Sequence, residues 1–299
     1  MSNFCIHGSH EDLHLVSKAI RLIGACFLLI LSVTHASAST QKIGPDLYAY
    51  VSENDASANS TFLVSEQGIL VVDTGLNAQE GRKLLNEIHR ISSAPVRWIV
   101  NTHYHPDHRG GNAVVGPDAI VISTAYTRAR AGATAPGYGV NENLGPDGFT
   151  LFVGGHEVRI YHPGPAHTMG DAVVYFPDQH AIATGDLFLT NSCPAMDEGD
   201  MENWIRALDQ MLAWPVERII PGHFEVATKS QLESFRNYLA DLRDQVSRLR
   251  DEGKSLPQVQ KALDLRAYQG FRQFPKYEAT FNDNAAAYYS QLEMRGAAK

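Results

Sequence analysis

The sequence predicts a layered α/β protein with two β-sheets between helices, and three observations carry that reading. Strands and helices alternate in two successive halves, each a run of strands followed by helix. The run Gly68–Val72 is short, continuous and apolar, as a buried strand is, and Val96–Val100 reads as a second short buried strand. Between them, Ala78–Ile91 places Leu84, Leu85, Ile88 and Ile91 at helical spacing.

Taken in order, Leu47–Val51 and residues 61–64 read as strands, and Gly68–Val72 is a third that ends in Asp73-Thr74-Gly75. After the helix Ala78–Ile91 comes the strand Val96–Val100. A histidine-rich stretch begins at its carboxyl end, where active-site loops leave α/β sheets. A weak helix and strand occupy 111–122, and a helix starts from Thr124. The composition of residues 135–148, rich in Gly, Pro and Asn, predicts a surface loop. Strands are expected at 150–153, 157–161, 172–176 and 180–184, then a helix at 201–212 and the strand Arg218–Ile220. A long amphipathic helix at 231–250 follows, whose stripe of Leu232, Phe235, Leu239 and Leu242 is a packing face. Helical segments at 256–265 and 276–294 close the chain.

With 299 residues, 44% apolar and 19% charged, the chain has enough material for a substantial core. A formal charge of -8 argues against nucleic acid as the main partner, since phosphate recognition needs a basic surface, and does not suggest a strong attraction to anionic lipid. A small molecule is the expected partner, and nothing fixes the oligomeric state.

The amino terminus reads as a targeting segment. Lys18 and Arg21 precede an apolar run at 22–33, which is followed by the small-x-small site Ala36-Ser37-Ala38. The run is too short to span a bilayer comfortably. The stretch before it is long for an export signal and carries Glu11 and Asp12, a mark of a start placed upstream of the true one. Residues 1–38 are therefore expected to be a signal peptide, 39–228 the main domain and 229–299 a helical extension packed on it, with the mature protein periplasmic or secreted. An uncleaved anchor is the alternative; lipidation at Cys26 is disfavoured because that residue sits inside the apolar run. Removal of Cys5 and Cys26 would leave Cys193 alone, so no internal disulfide is expected.

The most informative stretch runs from Asn101 to His108, where His103, His105, Asp107 and His108 fall within six positions. That density of first-row metal ligands points to a divalent site, and to two ions, because one short loop cannot wrap all four around one centre.

With Asp73 in Val-Val-Asp-Thr-Gly, His167 in Ala-His-Thr, Asp186 in Thr-Gly-Asp-Leu-Phe and His223 in Pro-Gly-His, the motif His-x-His-x-Asp-His resembles the five ordered signatures of the metallo-β-lactamase superfamily across residues 43–225. The resemblance implies a four-layer αββα sandwich, here with extra C-terminal helices, and a dinuclear site at one edge. It assigns His103, His105 and His167 to a first ion, Asp107, His108 and His223 to a second, and Asp186 to both, with zinc the expected metal. Two divalent ions, two carboxylates and a bridging hydroxide leave a site of roughly +1, suited to an oxyanion. Metal-bound water has a pKa near ~7 against ~15.7 for bulk water, so hydroxide is available at neutral pH. Asp107 would also accept or relay a proton to the leaving group. Asp73 is expected beneath the site, orienting a loop or a ligand histidine.

His89, His156, His162 and His180 lie outside these motifs and read as surface or satisfied core residues. Tyr104, Arg109, Tyr138, Asn141, Asn143 and Asn191 are candidates to face substrate. Asp186 stands where one group of β-lactamases has a cysteine, and Leu189 where that group has a carboxylate-anchoring lysine. The aspartate instead resembles glyoxalase II, lactonases and related esterases. The reading is a hydrolase of an amide, ester or thioester carbonyl, with a β-lactam as leading substrate because export places the enzyme where such compounds arrive. A persulfide dioxygenase or an accessory protein of a periplasmic dehydrogenase is the alternative class.

Overall fold

Six strands form the first sheet in chain order: β1 (Ser39–Lys42), β2 (Leu47–Val51), β3 (Ser60–Ser65), β4 (Gly68–Val72), β5 (Val96–Val100) and β6 (Ile120–Ile122). Pairing is antiparallel through β4, then parallel across β5 and β6. The second sheet contains β7 (Phe149–Val153), β8 (His156–Tyr161), β9 (Val173–Phe176), β10 (Ala181–Ala183) and β11 (Arg218–Ile220) in the order β11-β10-β9-β8-β7. Only β10 and β11 pair in parallel there. This computed structural model describes residues 39–132 and 148–297. The expected leader, with Cys5 and Cys26, and Tyr138, Asn141 and Asn143 lie outside the described residues.

The continuous apolar run of β4 has a simple cause. Leu70 and Val72 face the core between the sheets, and Ile69 and Val71 face the helical side. Both faces of the strand are covered, so neither register can be polar. The intersheet core joins Leu63, Leu70, Val100 and Ile122 to Val158, Ile160, Val174 and Phe176. Outside the first sheet, α1 (Ala78–Ile91) lays Leu84 and Ile88 on Ile69, Val71 and Ile99. Asn77 caps it, its side chain accepting from the backbone of Gln79 and Glu80.

Short helices α2 (Pro106–Arg109), α3 (Asn112–Val115) and α4 (Ala125–Ala131) decorate the loops after β5 and β6. The outer face of the second sheet, with Val173, Tyr175, Ile182 and Ile219, is covered by α5 (Met201–Ala213) and α6 (Lys229–Asp251), and α7 (Leu256–Ala262) and α8 (Phe281–Ala297) join the same core. Leu232, Phe235, Leu239 and Leu242 are fully buried in it. The fold is an αββα sandwich with additional C-terminal helices. Among the described residues, no helix is long and apolar enough to cross a membrane.

Three elements differ from the sequence reading. The polar segment Ser39–Lys42 is a strand, because it pairs along β2 as the sheet edge, where one face can be wet. The segment expected helical at 256–265 stops at Ala262, where Leu263 turns extended with ψ 133°. The last helix begins at Phe281 rather than 276. Glu278 is left-handed (φ 51°), Phe274 and Ala279 form a bridge, and the Thr280 side chain accepts from the Asp283 backbone to start the helix afresh.

Candidate metal centre

All seven candidate ligands stand on loops at one end of the sandwich, each loop following a strand. His103, His105, Asp107 and His108 follow β5, with Asp107 and His108 on the single turn of α2. His167 lies in the β8–β9 loop, Asp186 in a 3-10 turn after β10, and His223 just past β11. Two glycines make the approach possible. A side chain at Gly222 would place its first carbon 1.9 Å from Asp186 Oδ1, and one at Gly185, left-handed at φ 52°, would sit 2.4 Å from Thr102 Oγ1.

The ligand atoms fall into two groups that share Asp186. In the first, His105 Nδ1 is 2.9 Å from His103 Nε2 and 3.2 Å from His167 Nε2, and Asp186 Oδ2 lies 3.9 and 3.6 Å from those Nε2 atoms. In the second, Asp107 Oδ2 is 3.4 Å from His108 Nε2 and 3.1 Å from His223 Nε2, and Asp186 Oδ1 is 3.2 and 3.7 Å from the same two nitrogens. Ligands about 2.0–2.1 Å from a tetrahedral ion stand about 3.3 Å apart, so both groups have the right size for one.

Neighbouring residues fix which nitrogen each ring presents. A carboxylate only accepts, so His108 Nδ1–H donates to Asp73 Oδ2 at 2.7 Å and Nε2 carries the lone pair. Asp73 also accepts from Thr102 N (2.8 Å) and Thr102 Oγ1 (2.7 Å). With its proton committed there, Thr102 Oγ1 accepts from His103 Nδ1 at 3.1 Å. His167 Nδ1 donates to the Ala195 carbonyl at 3.2 Å. Asp73 is itself left-handed (φ 56°), a conformation aspartate tolerates better than most residues.

The electrostatics separate the two groups. Burial lowers His103, His105 and His167, the last to about 4, so these rings are neutral at physiological pH. Burial also opposes the charged forms of His108 and His223, but Asp186 and Asp107 outweigh it, with Asp73 adding to the effect on His108, and raise both. Burial pushes Asp186 and Asp107 up, yet the adjacent His108 and His223 hold both carboxyls well below the usual range. His108 Nε2 and Asp186 Oδ1 are buried without a hydrogen-bond partner among the described residues. Two orphaned atoms that both present lone pairs in one group, and three imidazole nitrogens converging in the other, are what metal ions would satisfy.

The His167 loop is tied by Asp171, which accepts from Thr168 N at 2.8 Å and Thr168 Oγ1 at 2.6 Å. Burial pushes this carboxyl up to about 7 against the pull of those bonds. At the rim, Tyr104 packs edge-on against His105, and its hydroxyl donates to Glu198 Oε1 at 2.7 Å. Tyr126 donates to Glu198 Oε2, and Arg130 pairs with Oε1 while lying over the Tyr104 ring. Tyr126 and Arg130 were not legible as site residues, because only the fold brings α4 to this rim. Arg109 is committed to the Tyr104 carbonyl at 2.6 Å. The Asn191 carbonyl accepts from Arg272 N. His156 stands away from the centre between Asp46 and Asp178, His162 bonds the Asp171 carbonyl, and His89 and His180 are exposed.

Residues 54–223 match the family described as the Metallo-beta-lactamase superfamily. The chain belongs to this superfamily. Among curated relatives, the linear primary-alkylsulfatase of Pseudomonas sp. (strain ATCC 19151) is 22% identical over 257 residues, 67% of this chain and 48% of that protein. The metallo-β-lactamase IND-1 of Chryseobacterium indologenes is 26% identical over 174 residues, 56% of this chain and 72% of that protein. Among solved structures, a metallo-β-lactamase from Pontibacter korlensis superposes with TM-score 0.60 at 23% identity, covering 68% of this chain and 99% of that one. The sec-alkylsulfatase Pisa1 from Pseudomonas sp. gives TM-score 0.70 at 17% identity, covering 85% and 50%. The chain thus spans about half the length of the alkylsulfatases it matches. Superfamily membership and the two ligand groups support a metal-dependent hydrolase.

Proposed function

We propose that this protein is a two-metal hydrolase of a small-molecule substrate, with His103, His105, His167 and Asp186 holding one ion and Asp107, His108, His223 and Asp186 the other. The observation that carries the reading is Asp186, whose two oxygens face different ligand groups. Zinc fits the donors, which are imidazole and carboxylate without thiolate. Bound divalent ions supply Lewis acidity toward a substrate oxygen and bring the ionisation of water near neutral pH.

The chain's own residues set the rest. Asp73, Thr102 and the Ala195 carbonyl hold three imidazoles with Nε2 unprotonated. Asp107, its side chain 22% exposed against 11% for Asp186, is the site carboxylate nearer solvent and is placed to take a proton and return it to the leaving group. Export with cleavage after Ala38 belongs to the same proposal, supported by the charged flank, apolar run and small-x-small site.

Both β-lactams and esters fit this chemistry. The β-lactam reading draws on IND-1 and the Pontibacter enzyme, and a sulfate-ester reading on the alkylsulfatase match, which extends over more of this chain. Protein purified without added metal is to be assayed for metal content, then offered nitrocefin, lactones, thioesters and primary and secondary alkyl sulfates, with and without a chelator. Chelator-sensitive turnover of one class is expected. One iron per chain with an empty second position would sink the two-ion reading, and chelator-resistant turnover would remove metal from the mechanism.

A further inference from the structure

The loop that delivers His223 is built differently from the other ligand loops. His103, His108 and His167 each have Nδ1 anchored by a neighbour, whereas His223 Nδ1 has no hydrogen-bond partner among the described residues. Apart from the contact of Nε2 with Asp107 Oδ2 at 3.1 Å, its ring direction is left to the backbone. That backbone is strained at the next residue, because Phe224 is left-handed with φ 72°, a conformation a bulky residue keeps only where its surroundings dictate it.

Two holds bear on Phe224 directly, beside the bonds of Gly222 N to the Gly185 carbonyl and of Thr190 Oγ1 to the Glu225 carbonyl. From the first sheet, Asn59 donates through its backbone to the Gly222 carbonyl at 2.7 Å and through Nδ2 to the carbonyls of Pro221 and Phe224 at 3.1 and 2.7 Å. From the C-terminal extension, the Arg272 guanidinium lies 4.4 Å above the Phe224 ring, and the Phe274 ring stacks on it at 5.8 Å with an interplanar angle of 6°. Arg272 is itself fixed: Nη1 donates to the Thr190 carbonyl at 2.9 Å, and Nη2 pairs with Glu225 at 3.1 Å. Its backbone donates to Asn191 and accepts from Cys193. The superfamily match ends at residue 223, so Phe224, Arg272 and Phe274 all lie beyond it.

We propose that Arg272 and Phe274 are positioning residues that hold Phe224 left-handed and so aim His223 at the second ligand group, making the C-terminal extension a determinant of second-ion affinity. This rests on the two-ion reading. Release of Phe224 lets it relax to negative φ and swings His223 away from Asp107 and Asp186, while the first group, which has no ligand on this loop, is unaffected.

The test is competitive titration of the metal-free full chain with Zn(II) against a chromophoric chelator, alongside Co(II) absorption spectra. The double variant Arg272→Ala/Phe274→Ala should bind its second equivalent about tenfold or more weakly, the usual effect of losing an outer support, with the first equivalent unchanged. Adding Phe224→Gly should restore much of the lost affinity, because glycine takes a left-handed φ freely. A general loss of structure would not be rescued this way. If the double variant fails to fold by circular dichroism, Arg272→Gln with and without Phe224→Gly carries the same expectations. An unchanged second equivalent, equal weakening of both, or no rescue overturns the clamp. Wild-type protein binding a single equivalent overturns the two-ion reading and the clamp with it.

Discussion

Replacing Asp73 by Asn changes one atom pair and should invert the tautomer of a ligand it does not itself replace. Asp73 Oδ1 accepts from Thr102 N, and Oδ2 accepts from both Thr102 Oγ1 and His108 Nδ1 at 2.7 Å. An asparagine oxygen in the Oδ1 position keeps the first bond and puts an amide NH2 where two donors now converge. His108 Nδ1 must then accept, its proton moves to Nε2, and a donor points into the second ligand group. Outer-shell losses of this kind lower metal affinity about 10–100-fold, or about 1.4–2.8 kcal/mol. Two charge-assisted bonds become neutral ones, so the metal-free fold should be destabilised as well, by less than the about 1.5–3 kcal/mol that each charge-assisted bond is worth. The assay pairs chelator competition with ¹⁵N spectra of the histidine rings. The expected result is a weakened second equivalent, a first equivalent close to wild type, and His108 protonated on Nε2. Unchanged second-site affinity with His108 still protonated on Nδ1 would refute the reasoning.

Asp186→Asn should keep the fold and lose one ion, since an amide offers an oxygen to only one group; turnover of the eventual substrate should fall on the order of 10²-fold or more, and full metal content with full turnover would show that Asp186 does not bridge. Acidification should empty the second position before the first. His108 and His223, raised by Asp186 and Asp107, keep their protons to higher pH, whereas His103, His105 and His167, lowered by burial, stay neutral and available; metal content after dialysis across pH 7.5 to 5.5 (roughly the imidazole range) should pass through one ion per chain. Asp171, raised by burial from 3.8 to about 7, contributes stability that is fully present below pH 3.8 and lost as pH rises through about 7. In chelator, Asp171→Asn should therefore gain on wild type across that window by up to about 1.4 kcal/mol per pH unit, measured by urea denaturation; a constant difference would count against a protonated Asp171.

Much of the fold was legible because its strands and helices bury opposite faces in a regular period. β4 reads as a continuous apolar run, and α1 shows its stripe at helical spacing. The seven candidate ligands were legible because short loops concentrate rare residue types, and the structure gathers all seven at one end of the sandwich. What stayed hidden depends on contacts between distant segments. Ser39–Lys42 is polar and becomes a strand only through its neighbour β2. Tyr126 and Arg130 meet Glu198 from more than sixty positions away, and Phe274 meets Phe224 from fifty. No local pattern marks such pairs. The breaks near Leu263 and Glu278 were missed for a related reason, since the apolar spacing continues while the backbone turns.

Each ligand group draws from both sheets: the loop after β5 supplies one half, and the loops after β8, β10 and β11 supply the other. An ion in either position therefore ties the two sides of the sandwich together at that end, between residues distant in sequence. Cys193 is the free cysteine of the described residues, so no disulfide serves that purpose. Metal would act here as the staple, stabilising the native state by mass action and strengthening with free ion concentration. The protein's resistance to heat and proteolysis would then follow the metal supply of its surroundings, and starvation for metal would be felt as loss of protein as well as loss of activity.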